Sequence, residues 1–393
     1  MIHKIIITAV CLLTGGTLVA QESMAEMLAS IEQNNATLRA LREEAEARKL
    51  GNKTGIYLPG PDVEFNYLWG TPGSIGNRND INVSQSFDIA TLSGMKNRLA
   101  DNKNLLVDLQ YKADRLKILL EAKQYALDLI YYNALKKELA LRLQHAETVA
   151  AAYTERLEQG DANLLEYNKS QLNLSAVRGE ISRVEVERGA ILSGLRRLNG
   201  GMEIRYDASQ YGTEILPADF EDWLAGAVQK NPVLQYVKEQ VEAGKKEVKL
   251  SKVMGLPTFS AGYMREKTLG QAYQGISVGI SIPLWENKNR VKQARATVVA
   301  AEARQYETKQ QFYDQLQILY QRARGLEQTA ATYRESLSAL NNTELLTKAL
   351  NAGEISLLDY ILEIGLYYDT VNQALSAERD YRKALADLSS VEL

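Results

Sequence analysis

Between Gly94 and Gly160 the chain has neither glycine nor proline, and no other feature restricts its fold as much. Proline breaks helices by removing a donor and clashing with the preceding turn, and glycine weakens them through backbone entropy. A continuous helix here, at about 1.5 Å per residue, is roughly 95 Å long. Leu109, Ala113, Leu116, Leu120 and Leu127 form one apolar stripe, and Leu106, Ile118 and Leu119 lie off it. A helix with two apolar flanks wants neighbours on both sides, as in a curved wall, whereas a solitary antiparallel coiled coil needs only one narrow seam. The stretch 285–352 has no proline and only Gly325, so a second helix of similar length is expected.

The two stretches belong to a duplication with an offset of about 195 residues. Gly160-Asp-Ala-Asn-Leu-Leu-Glu-Tyr167 matches Gly353-Glu-Ile-Ser-Leu-Leu-Asp-Tyr360. Upstream, Ile81-Asn-Val-Ser-Gln-Ser-Phe87 parallels Ile276-Ser-Val-Gly-Ile-Ser-Ile282, Leu58-Pro59 parallels Leu256-Pro257, and Asn97-Arg98 parallels Asn289-Arg290. Four matches in one order mark an internal repeat. Each copy reads as helix, strand pair, very long helix, tight turn and returning helix. The opening helix carries Met24, Met27, Ile31, Leu38, Leu41 and Ala45 in copy one, and Trp223, Ala227, Leu234, Val237 and Val241 in copy two. Both sets keep helical spacing.

Four short stretches alternate with period two, at about 62–70, 80–90, 258–265 and 275–284. Val63, Phe65, Tyr67 and Trp69 share one face with Ile81, Val83, Phe87, Ile276, Val278, Ile280 and Ile282, and the other face is small and polar. Strands of about nine residues approach the roughly 9–11 that cross a bilayer in a tilted β-barrel. In that arrangement the apolar set faces lipid, and Tyr67 and Trp69 stand where an aromatic belt belongs. A soluble sandwich alternates in the same way, but four strands tied to ~90 Å helices offer no second sheet to cover the apolar face. Four strands cannot close a barrel, and open edges are not tolerated in hydrocarbon. Several chains must therefore share one barrel; three copies give twelve strands, an even number within the known range.

The first twenty residues read as a secretory signal: Lys4 supplies the charge, residues 5–19 are almost wholly apolar, and Leu18-Val19-Ala20 precedes Gln21 as a cleavage site. Cys11 follows Val10 in mid-run, a poor context for a lipoprotein cysteine. A mature chain from Gln21 holds no cysteine and one histidine, His145, in a long polar helical stretch. Cysteine chemistry, disulfides and Cys/His metal sites are thereby excluded, and a Ser-His-Asp triad finds no strained-turn motif. The 46 basic and 49 acidic residues are spread evenly, so no nucleic-acid footprint is present. The expectation is a protein that is not an enzyme and has no cofactor and no metal. Met24, Met27, Met95, Met202, Met254 and Met264 are scattered as gap-fillers and assign no cargo.

The duplicated unit, the strand pairs and the two Gly-x-x-x-Leu-Leu-Asp/Glu-Tyr turns resemble the TolC-type outer-membrane efflux proteins. Arg156-Leu-Glu-Gln-Gly160 with Leu164-Leu165-Glu166 fits that family's turn signature; in copy two Ala349 replaces the arginine, while Gly353 and Leu357-Leu358-Asp359 hold. Asn231-Pro232-Val233-Leu234 resembles the Asn-Pro-x-Leu that opens family repeats, and Asn35-Ala36-Thr37-Leu38 is a looser copy. The resemblance implies an α+β, mainly α fold: a homotrimer with a shared twelve-stranded barrel in outer-membrane lipid and a periplasmic α-barrel of long-helix hairpins. It divides the chain into repeat 1 at 21–200, with its long helix at 95–158, a linker or equatorial segment at 201–217, and repeat 2 at 218–393, with its long helix at 286–351. It further implies an exit duct docking through Arg156, Gly160, Leu164, Leu165, Gly353, Leu357 and Leu358 on a periplasmic adaptor, itself linked to an inner-membrane pump of RND or ABC type. The family's first gate position falls on Asp359; its second falls on Leu362, with Glu363 one place on. Leu350 and Ile355 stand where studied members place a latching Tyr and Arg, so closure by apolar packing is expected. The competing expectation is an extracytoplasmic coiled-coil scaffold or adaptor subunit without a pore, although no lipoyl-like β-domain is visible.

Overall fold

Met95–Gln159 is one unbroken helix of 65 residues. A computed structural model describes residues 23–285, 287–340 and 342–393; the expected signal segment and the start at Gln21 fall outside the described residues. In chain order the elements are α1 Met24–Asn34, α2 Ala36–Asn52, β1 Asp62–Leu68, β2 Arg78–Phe87, a short α3 Ile89–Leu92, α4 Met95–Gln159, α5 Leu164–Leu198, α6 Phe220–Lys230, α7 Pro232–Val253, β3 Thr258–Thr268, β4 Gln271–Ser281, α8 Arg290–Ala339, α9 Thr343–Ala352 and α10 Leu357–Leu388. The tandem order is visible directly: two helices, a strand pair, a long helix, and a return helix, twice.

The single opening helix expected in each copy is in fact a pair, and the asparagines of the repeat-opening motif are the reason. Asn35 and Asn231 both leave the helical region, with φ near −65° and ψ 117°. The Asn35 side-chain oxygen accepts from the Leu38 N–H at 2.9 Å; that of Asn231 accepts from Val233 and Leu234 at 2.8 and 3.0 Å. Each is thus the N-cap of a new helix, with Pro232 at the first helical position where its missing N–H costs nothing.

The second long helix, expected over 286–351, is likewise divided: α8 ends at Ala339 and α9 begins at Thr343. Leu340 leaves helical geometry at φ −119°, ψ 28°. The sequence there is Leu340-Asn341-Asn342. Asparagine side chains compete with the backbone for its hydrogen bonds, so a helix can stop without glycine or proline.

The helices form a wall. On one flank of α4 pack α2 and, further along, α5; on the other flank lie α7 and α10, and beyond these runs α8. Alanines make the close approaches, with Ala122, Ala126, Ala323 and Ala386 fully buried. Residues 199–219 form no regular element but strap this wall at its waist. Ile204 and Tyr206 enter the core between α1, α4 and α5, and Leu216 enters the one formed by α6, α8 and α10. Lys123 Nζ holds Glu214 at 2.8 Å, and Arg382 donates to the carbonyls of Gly212 and Glu214.

One waist contact is under-satisfied. Gln124 donates to Asp387 Oδ1 at 2.7 Å, yet its own Oε1 is buried with no partner among the described residues. Partial burial raises the Asp387 carboxyl above its ordinary value, against the opposing pull of Gln124, Arg322 and Lys383. A carboxyl raised on folding stabilises below its unfolded pKa and loses that contribution as pH rises through the folded pKa, so at neutral pH it is a net cost. Asp387→Asn removes the charge and supplies a donor for Gln124 Oε1. We expect the variant to be more stable at neutral pH by about 0.5–1 kcal/mol, with the gain shrinking toward pH 4, as read by urea unfolding in detergent at both pH values. Equal stability at pH 7 would refute this account.

The four strands form one antiparallel sheet in the order β1-β2-β3-β4, so the strand pairs of the two copies are joined through β2 and β3. Its boundaries differ from the expected ones. Trp69 lies just past β1, Ile89 belongs to α3, β3 extends to Thr268, and β4 starts earlier and stops before Ile282. Trp69 and Ile282 therefore border the strands and are not members of them.

Candidate functional site: an apolar sheet face and a double helical tip

Strand register decides which side chains share a face, because directly paired residues point the same way. Val63 pairs with Val83, Val83 with Tyr263 and Tyr263 with Ile276; Phe65 pairs with Ile81; Phe87, Phe259 and Ile280 form another row, as do Ala261 and Val278. All the in-strand residues expected to face lipid are thus brought onto one surface. Phe259 and Tyr263 join them. The surface is bare: Phe65 is 62%, Val278 79% and Ile276 85% exposed, while Phe87 at the helical end is half-buried. Beyond the strands Trp69 and Ile282 are exposed, and Trp69 meets the Tyr67 ring edge-on at 5.5 Å.

The opposite face carries Ser84, Ser86, Asn82, Gly262, Ser277 and Gly279, and also charge that the sequence reading passed over. Arg78 bridges Asp80 at 2.9 Å and Glu266 at 3.1 Å across β2 and β3. The sheet thus has one oily and one wet face, with β1 and β4 as unpaired edges. No helix among the described residues is long and apolar enough to cross a membrane, a statement that does not bear on strands.

The two sharp turns lie together at the far end of the wall. Gly160 and Gly353 adopt φ +83° and +73°, a left-handed conformation that residues with a Cβ rarely adopt. The N–H after each glycine reaches back five residues, Asp161 to the Arg156 carbonyl at 2.7 Å and Glu354 to the Ala349 carbonyl at 2.9 Å. These are Schellman closures that satisfy the last carbonyls of α4 and α9. The next helix starts at once with a capping box, Asn163 with Glu166 in one copy and Ser356 with Asp359 in the other. Repetition of the acidic residue in both copies therefore has a structural cause.

The tip side chains divide unequally. Leu164 is 61% and Leu165 72% exposed, and Arg156 is exposed over the Tyr153 ring at 5.1 Å. Leu358 is exposed, but Leu357 is 1% exposed and staples α10 inward. Leu357 is therefore packed inside the tip of copy two, while Leu358 and the Leu164-Leu165 pair of copy one stay open to solvent. Leu350 and Ile355 pack with Tyr360, Ile364 and Val149 of α4, an apolar seam within the chain's own tip. Asp359, Leu362 and Glu363 are all exposed and fall within one turn on the outer face of α10, with Leu366 next along it. Asp359 Oδ2 already accepts from the Ser356 hydroxyl at 2.6 Å.

Sequence reasoning missed the polar contacts between α4 and α10 above the tip, where His145 Nδ1 lies 2.9 Å from the Tyr368 hydroxyl and Arg142 is buried against Tyr368 and Asn372. A charged residue in a polar helical stretch gives no signal of which partner it meets.

No family model and no curated protein sequence matches the chain. Solved structures do. It is similar to the CmeC outer membrane channel of Campylobacter jejuni, with a TM-score of 0.73 and 14% identity over 94% of this chain and 85% of that one. The outer membrane protein VceC of Vibrio cholerae gives a TM-score of 0.68 and 14% identity over 94% and 95% of the two chains. The MtrE outer membrane channel of Neisseria gonorrhoeae, in its open state, gives 0.63 and 15% over 94% and 88%. The fold is that of the TolC-type outer-membrane channels. At this identity the likeness establishes the architecture of wall, sheet and tip alone.

Proposed function

We propose that the protein is an outer-membrane exit duct in which three copies close a twelve-stranded barrel. One observation carries this reading: the sheet exposes a continuous apolar face and leaves both edges unpaired. In water such a surface is an aggregation hazard; in lipid it is the required exterior, provided neighbouring copies pair β1 with β4. The face with Ser84, Asn82, Gly262 and the Arg78 cluster then lines a water-filled pore. The helical walls continue it as a tunnel, and the double tip docks on a periplasmic adaptor fed by an inner-membrane pump. Arg156, Leu164, Leu165 and Leu358, set around Gly160 and Gly353, supply the docking surface. As a passive conduit the protein needs no catalytic group. A pore-free scaffold would leave Phe65, Ile276 and Val278 facing water. The test is whether protein extracted from membranes in detergent is a trimer that conducts ions in planar bilayers; a water-soluble, non-conducting monomer would overturn the duct.

In this duct Asp359 forms a ring of three carboxylates at the tip aperture, next to Leu362 and Glu363, and favours cations. We expect Asp359→Asn to reduce cation selectivity and divalent block of single-channel current. An asparagine oxygen can still accept from Ser356, so helix stability should fall by no more than about 0.5 kcal/mol. Unchanged selectivity in a correctly folded variant would leave Asp359 a capping residue only.

A further inference from the structure

The charges of the sheet are sorted by face, and the sorting points to a lipid site. Asp62, Glu64, Asp80 and Glu266, the sheet's four carboxylates, all lie on the polar face with Arg78. Arg265 and Lys267 lie on the apolar face. Arg265 pairs with Ile81 and Gln274, and Lys267 with Asn79 and Ala272, so no carboxylate stands beside either. Both side chains are exposed, and neither makes an ion pair or side-chain hydrogen bond among the described residues. Their position is as selective as their face. On β3 the order from the helical end is Phe259, Ala261, Tyr263, then Arg265 and Lys267 next to the Leu269-Gly270 turn. Tyr67, with Trp69 against it, stands at the same level across β2 from Lys267. The neighbour that pairs with β4 in a closed barrel brings β1, whose residues on this face are Val63, Phe65 and Tyr67, so it supplies no anion either.

We propose that Arg265 and Lys267 form a binding site for the phosphate groups of an anionic outer-leaflet glycolipid of the lipid A type. The proposal rests on the outer-membrane reading. The two cations are two residues apart on one face, roughly 7 Å along the strand, a span that one phosphate can bridge. Long side chains at the edge of an apolar band extend toward the headgroups while their stems stay in the acyl layer. An aromatic pair beside them fixes the depth of the barrel at the same interface. A charge-free ring would complete the girdle equally well for a neutral lipid; two unpaired cations, with every carboxylate sent to the other face, match an anionic one.

The test uses the full-length trimer in neutral detergent, with fluorescent bisphosphorylated lipid A and its dephosphorylated form as probes and co-elution as readout. Trimer formation and conductance of every variant are measured first; their failure in the unsubstituted protein would overturn the duct itself, independently of this site. We expect Arg265→Gln and Lys267→Gln each to weaken lipid A binding about five-fold, the double variant to lose the preference for the phosphorylated form, and Lys245→Gln on the helical wall to change nothing. Retention of that preference by the double variant, or equal binding of both lipid forms by the unsubstituted protein, would overturn the proposal. So would competition by inorganic phosphate as effective as that by unlabelled lipid A, which would mark a site for soluble anions.

Discussion

Val278→Arg is expected to remove the protein from the outer membrane. Val278 is 79% exposed and lies between Ile276 and Ile280 in the middle of the apolar face, opposite Ala261. In a closed barrel this is close to the bilayer midplane, where an arginine on the lipid face costs about 2–4 kcal/mol per chain. Three copies in one barrel multiply the penalty to roughly 6–12 kcal/mol, which no marginally stable assembly absorbs. The neighbouring Ser277 points to the other face, where it pairs with Gly262, so Ser277→Arg meets water and should still give a trimer with altered conductance. Membrane fractionation and trimer yield read the contrast between adjacent positions. In a water-soluble scaffold both faces of the sheet meet solvent and neither substitution bars the protein from its place, so equal recovery of the two variants would remove the barrel.

The architecture was legible in the sequence wherever one physical rule acted alone. The absence of glycine and proline sets α4, and period-two alternation places Val63, Phe65, Ile276 and Val278 on one face before any register is known. Positive φ at the turns requires Gly160 and Gly353. Reading failed where two rules competed. Asn35 and Asn231 sit in good helical periodicity, yet their side chains cap and divide the helix; α8 ends at Ala339 without glycine or proline to announce it. Of the tip residues, Leu357 and Leu358 are identical in composition and adjacent in sequence, and only the phase of α10 against α9 and α4 buries one and exposes the other. The gate reading of Asp359 was incomplete for a different reason. A capping box favours a side-chain acceptor at that same position, so an acid there in both copies follows from helix initiation as well as from any aperture.

Arg142 is one of the points at which copy one is fastened to copy two, and Arg142→Ala is expected to loosen the wall above the tip. The side chain projects from α4 with 3% exposure, and its guanidinium donates to the Tyr368 carbonyl at 3.2 Å and to Asn372 Oδ1 at 2.9 Å on α10. It also stacks over the Tyr368 ring at 4.4 Å, with Glu138 at 3.7 Å as its nearest anion. Truncation to alanine deletes the two charge-assisted bonds, the stacking and the buried stem together, and leaves Asn372 Oδ1 without its donor. Losses of this kind amount to about 3 kcal/mol. Arg142 Nε is itself buried without a hydrogen-bond partner among the described residues, so the native arrangement already carries a desolvation cost that a hydrophobe of similar length avoids. Arg142→Met should therefore recover most of the stability, to within roughly 1 kcal/mol of the native protein. Because Tyr368 follows Leu362 and Asp359 on α10 by about 1.7 and 2.5 turns, releasing this clasp frees the first turns of α10, and the alanine variant should conduct with a larger open fraction than either the native or the methionine protein. Thermal unfolding of the detergent-solubilised trimer and single-channel recording measure the two effects. An alanine variant as stable as the native protein would show that apolar packing of Leu139, Tyr368 and their neighbours, and not this buried cation, holds the copies together.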